Sequence, residues 1–182
     1  MRRNVVIFFL GTMAFVAGCG SNQSVSKGKG PTTEVQVQIT KTSSYCGGAR
    51  PSDEMVKDLE TPKPASEVRF FIGSGGVNQG KEFVLEGKTD KHGHAVVKLP
   101  AGQYYLVFED KTLDSKNNLL KTYGNETRHY SAIDKSCLED WFKQPESSFS
   151  VERRPLVIEV NQHIPCSWQA VPCADYHGPL PP

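Results

Sequence analysis

A mainly-β fold is what this 182-residue chain predicts, specifically a seven-stranded antiparallel sandwich with one or two short helical insertions. Three observations carry that expectation. Apolar residues recur at every second position in short runs, the period of a half-buried strand. Glycine, proline and aspartate clusters punctuate those runs at turn-like intervals. Helical spacing with capping signals is confined to two brief stretches.

The first element precedes the fold. "MRRNVVIFFLGTMAFVAGCG" opens on Arg2 and Arg3 and continues as an apolar run from Val5 to Ala17, too short to span a bilayer comfortably. It closes on Val16-Ala17-Gly18-Cys19, small residues directly before a cysteine, which resembles the lipobox of bacterial lipoproteins. That resemblance implies a signal peptide over residues 1–18 and a lipid on Cys19. It also implies a cell-envelope address, the outer membrane in particular, because Gly20 stands where an inner-membrane retention signal has Asp. Residues 19–32 then read as a lipidated flexible linker of Gly, Ser and Lys. Without its first 18 residues the chain carries 19 basic and 20 acidic side chains, so no basic footprint for nucleic acid is present. Four cysteines remain (Cys46, Cys137, Cys166, Cys173), an even set that suits disulfides in an oxidising compartment.

The folded part is expected over residues 33–182, with its C-terminal tail held by disulfides. In "TEVQVQITKT", Val35, Val37 and Ile39 alternate with polar residues, giving the first strand. Ser52 caps a short helix from about Asp53 to Leu59, with Met55, Val56 and Leu59 as its inward stripe. "EVRFFI" and "KEFVLEG" are strands joined by a glycine-rich connection. "DKHG" is a tight turn: Asp90 accepts bonds from following amides and Gly93 takes positive φ. "HAVVKL" is a strand, Pro100-Ala101-Gly102 turns the chain, and "QYYLVFE" returns with Tyr104, Leu106 and Phe108 on one face. Residues 110–146 read as a long polar excursion, with one short helix at Ser136–Lys143 whose Leu138, Trp141 and Phe142 face inward. "SSFSV" and "PLVIEVNQ" close the domain ahead of a proline-rich tail expected to lie strapped across the sandwich.

The run Thr89, Asp90, Gly93, Pro100, Gly102, Tyr104, preceded by "PKPASEVRFFIG", resembles carboxypeptidase regulatory-like domains. The resemblance covers about residues 33–110 and 147–162 and implies a transthyretin-like, Ig-like sandwich. Its motifs specify turns rather than chemistry. "YCGGARPSDEM" and the "CSW…PC…Y.GPLPP" ending are also similar to a group of Gram-negative envelope lipoproteins defined by their address rather than by an activity. In the sandwich class so implied, first and last strands lie side by side and parallel. Cys46 and Cys166 then leave the same end of the domain, so Cys46 pairs with Cys166 or Cys173, and Cys137 takes the remaining partner.

Catalytic signatures are missing from the sequence. No histidine has Glu three residues on, no H-E-x-x-H occurs, and "GSGG" is neither a nucleophile elbow nor a dinucleotide loop. Metal candidates are the pair His92 and His94, and the tail pattern H-x2-C-x6-C-x3-H with His163 and His177. The tail spacing exceeds that of common zinc knuckles, and oxidation competes for its thiols. The sequence therefore leads to a non-enzymatic, lipid-anchored envelope protein without a cofactor, a binding or structural accessory to an envelope partner. The alternative is a small-ligand or copper- or zinc-binding lipoprotein, and a third reading places an enzyme site in residues 110–146.

Overall fold

The computed structural model describes residues 30–180. The signal segment, Cys19, most of the linker and Pro181–Pro182 lie outside them. Two four-stranded sheets face each other. In the first, β1 (Thr32–Ser43) is central. On one side it pairs antiparallel with β5 (His94–Pro100) and then, further along, with β2 (Lys63–Pro64). On its other side lies β8 (Leu156–Ile164), parallel, from Val35↔Leu156 to Ser43↔Ile164. The second sheet has the order β4 (Leu85–Lys88), β3 (Arg69–Ser74), β6 (Gly102–Phe108), β7 (Ser147–Val151), all antiparallel.

The sandwich thus has eight strands rather than seven, and it is not wholly antiparallel. The extra strand is the two-residue β2, too short to carry a periodic signal. The parallel pair arises because β7 and β8 belong to different sheets, so the connection crosses the sandwich instead of making a hairpin.

Alternation builds the core. Val35, Val37, Ile39, Val97, Leu99, Ile158 and Val160 point inward from the first sheet and meet Phe70, Ile72, Leu106, Phe108 and Val151 from the second. β6 is buried on both faces, which is why "YYLVF" is a continuous apolar run. Tyr104, Leu106 and Phe108 fill the sandwich, while Tyr105 and Val107 pack behind it with Phe71 and Phe83.

The Asp90 turn is a knot in this frame. Its Oδ1 accepts from the amides of His92 (2.8 Å) and His94 (2.9 Å), and Gly93 N–H closes the turn on the Asp90 carbonyl. Gly93 has φ +78°, and a Cβ there would lie 2.4 Å from the Ile39 carbonyl oxygen. The neighbouring Thr89, buried, donates to Ala65 O and accepts from Val68 N. Gly93→Ala therefore meets both backbone strain and a backbone clash, and is expected to cost at least about 2 kcal/mol by denaturant unfolding. The two amide bonds hold the Asp90 carboxyl below its usual 3.8. The stability it contributes is full above that value and is lost as pH falls through the lower folded-state value. Asp90→Asn is expected to flatten that acid limb of a Tm–pH curve.

Three helices complete the fold. α1 (Asp53–Glu60) starts at Ser52, whose hydroxyl accepts from Met55 N. The expected inward stripe is not buried: Met55 is 47 % exposed and only Val56 and Leu59 are partly covered. The excursion at 110–146 is not a loop. After a 3-10 turn at Glu109–Lys111 comes α2 (Leu113–Tyr123), capped by Thr112, and then α3 (Lys135–Lys143), capped by Asp134. Leu138 and Phe142 are buried as expected, but Trp141 is only partly so. Ile133, Leu138 and Val171 form a separate small core with Leu119, Leu120, Tyr123 and Tyr130. The C-terminal tail is strapped over this helical cap rather than over the sandwich, through Ser131 N–H to Asp175 O, Asp134 N–H to Cys173 O and His177 N–H to His129 O.

Candidate functional site

Two disulfides fix the cap and tail to the sandwich. Cys46–Cys166 (Cα–Cα 5.5 Å) joins the segment after β1 to the segment after β8, as their parallel register requires. Cys137–Cys173 (Cα–Cα 5.7 Å) joins α3 to the tail. Of the pairings open to Cys46, the structure selects Cys166. Both tail thiols are consumed by these bonds, so neither is available to a metal.

The four candidate histidines do not gather at one site. His163 lies between Thr42 Oγ1 (3.2 Å from Nδ1) and Ser44 Oγ (2.9 Å from Nε2), so both ring nitrogens have hydroxyl partners. His177 is exposed and joins the strap through its backbone. His92 and His94 are exposed on the Asp90 turn. Among the described residues, no three His, Cys, Asp or Glu side chains gather into a metal-holding group. Asp90 and Gly93 occupy the turn before β5, whereas Pro100 ends β5 and Gly102 begins β6 on either side of the bend at Ala101; Pro100 O also accepts from the Tyr104 hydroxyl at 3.0 Å.

What the sequence did not disclose is an open cleft of about 1270 Å³ where the end of the sandwich meets the cap. One wall is the entry to β3, Glu67 to Arg69, with the exit of β6, Phe108 to Lys111. The other is α3, with Asp140 and Trp141 and the capping Gln144 just past its end, and beside it the tail at Gln169, Ala170, Pro172 and Cys173. The floor is the end of β8, residues 161–165. A smaller pocket of about 400 Å³ shares Asp110, Trp141 and Pro172, so the indole stands between the two.

Five carboxylates and two cations line the cleft. Both cations already have partners. Arg69 reaches Glu86 (2.6 Å) and Glu109 (2.8 Å), and Lys111 reaches Glu146 (2.8 Å) and the Gln144 carbonyl while lying 5.1 Å from the Trp141 ring centre. Glu67 pairs with Lys88. Asp110 and Asp140 have no ion pair among the described residues, which leaves the cleft negative. Asp110 keeps an exposed edge, yet protein on its other sides strips enough water to raise its pKa, and Glu146 raises it further. A raised carboxylate works against folding once ionised, so stability falls as pH rises from 3.8 through the folded-state value. Asp110→Asn is expected to raise Tm at neutral pH, with the gain vanishing in acid.

Behind the cleft, Asn78 is fully buried and joins four groups. Its Nδ2 donates to Lys111 O (2.8 Å) and Phe142 O (3.0 Å), and its Oδ1 accepts from Gly80 N (3.2 Å) and the Tyr105 hydroxyl (3.4 Å). Its own N–H bonds Lys143 O. The glycine-rich connection, β6 and α3 are thereby held in one position.

No family model and no curated protein matches the chain. Among solved structures, it is similar to GBS52, the minor pilin of Streptococcus agalactiae, with 16 % identity and a TM-score of 0.37 over 74 % of this chain and 45 % of that one. It is also similar to the Bacillus anthracis TIE protein, with 19 % identity and a TM-score of 0.28 over 73 % of this chain and 17 % of that one. The chain thus spans less than half the length of either.

Proposed function

We propose that the chain is a lipid-anchored, non-enzymatic module of a bacterial cell envelope that binds a partner through the cleft at the cap end. The observation that supports this best is the pair of disulfides, which brace both sides of an open, negative cleft in a chain whose N-terminus reads as a lipoprotein signal. Bridges of this kind persist in oxidising compartments, in keeping with export and lipidation at Cys19. The finer fold assignment, transthyretin-like and close to carboxypeptidase regulatory-like domains, rests on the Thr89–Gly93 turn and on Pro100, Gly102 and Tyr104. Such domains are accessory units, and the ion pairing of Arg69 and Lys111 suits a rigid recognition surface more than proton transfer.

The test is photo-crosslinking in cells with a benzophenone side chain at Asp140. A discrete adduct with another envelope protein, lost when the probe moves to Lys57 on the remote helix α1, supports the reading. Crosslinks no more specific at Asp140 than at Lys57 overturn it.

A further inference from the structure

β8 is an edge strand. The Ile164 carbonyl accepts from Ser44 N–H, so Ile164 turns its backbone groups towards β1. Successive residues of a strand alternate. Ile158, Val160 and Gln162 therefore also face β1, while Val157, Glu159, Asn161 and His163 turn their N–H and C=O groups outward. Among the described residues β8 has no strand on that side. Exposed edges are ordinarily guarded by several charges or a bulge, because unpaired backbone groups invite another chain. Here Glu159 is the only charged side chain on an edge that also carries Val157, 49 % exposed.

The edge is self-complementary. In an antiparallel pairing centred on Val160, Val157 falls opposite His163 and Glu159 opposite Asn161, so all four outward residues of each copy find outward partners and no like charges meet. A register one pair shorter would set Glu159 against Glu159 and is disfavoured. The favoured register carries Arg153 and Arg154, exposed just before β8, to the C-terminal end of the partner's β8. That end is the floor of the negative cleft, where Asp110 and Asp140 have no ion pair. Arg154 is 3.4 Å from Glu152 in a fully surface pair, and Arg153 has no ion pair among the described residues. By symmetry each copy would present two arginines to the rim of the other's cleft.

From this geometry we propose that two copies of the chain join through antiparallel β8 edges into one continuous sheet, each lending Arg153 and Arg154 to the partner's cleft. The full-length chain, made in bacterial cells with a benzophenone at Val157, tests this. The expected result is an adduct of twice the chain's mass, its crosslink mapping to residues 161–165 of the second copy. Arg153→Glu with Arg154→Glu is expected to cut the yield about tenfold, through like-charge contact. Co-expression with an Asp110→Lys, Asp140→Lys chain is expected to restore it. No doubled-mass adduct, a yield indifferent to the arginine changes, or no rescue overturns the proposal. A heteromeric adduct at Asp140 without self-crosslinking leaves the envelope-partner reading standing while this one falls. Self-crosslinking without a heteromeric adduct does the reverse.

Discussion

Replacing Cys46 and Cys166 together by alanine is expected to lower stability by about 4–5 kcal/mol and Tm by about 10–20 °C. The size follows from the loop. The two cysteines are 120 residues apart, so the bridge constrains most of the folded chain in its unfolded state. The native state adds to this, because Cys166 is buried and β8 lies parallel to β1 without a hairpin to hold it there. Removing Cys137–Cys173, which closes only 36 residues, is expected to cost less, about 3–4 kcal/mol. Its loss is also expected to act locally. Amides of the strap (Ser131, Asp134, His177) should exchange faster with deuterium while those of β1 and β8 stay protected. Equal losses from the two double variants, by denaturant unfolding, contradict this ordering.

The second large effect is at Asn78. Asn78→Ala is expected to cost about 3–4 kcal/mol, since it leaves buried carbonyls at Lys111 and Phe142 without their donor and opens a small cavity. Asn78→Asp is expected to be worse, because a carboxylate cannot donate and would face those carbonyl oxygens. Tyr105→Phe removes the longest of the contacts, 3.4 Å, and is expected to cost no more than about 1 kcal/mol. Because Asn78 connects β6 to α3, its loss should also loosen the cleft: the fluorescence of Trp141 is expected to shift towards that of a solvated indole. An Asn78→Ala protein with wild-type stability and emission would show that the cap is held by something else.

Much of the sandwich was readable because its causes are local. Val35, Val37 and Ile39 alternate without interruption, and Asp90 with Gly93 dictates a turn whatever surrounds it. The helical cap was readable only in part: α3 stands at Lys135–Lys143 where a helix over Ser136–Lys143 was expected, whereas α2 was not foreseen. "LDSKNNLLKTY" has two asparagines and a weak apolar face; as α2 it is held by the Thr112 cap and by the 2.5 Å pair of Lys116 with Glu139 from α3. Only the cap had a local signature. In "DEMVKDLE" the reverse holds: the local signals make α1, but an apolar stripe says nothing about whether a surface is there to cover it. The cleft belongs to the same class as α2. Its walls come from β3, β6, α3 and the tail, far apart in sequence, and Asp110 and Trp141 have no motif that links them. The cysteines lie between these cases. That the four pair as two disulfides was legible, whereas the choice of Cys166 over Cys173 for Cys46 depended on the β1–β8 register.

The proposed function requires an exported, lipid-bearing chain whose cleft is braced by two particular bridges. A peptide map of the protein taken from bacterial membranes without reduction tests this most directly. The expected result is an acylated N-terminal peptide beginning at Cys19, one linked pair containing Cys46 and Cys166, and one containing Cys137 and Cys173. Free thiols at these four positions, the crossed linkage of Cys46 with Cys173, or an unprocessed N-terminus beginning at Met1 would contradict it.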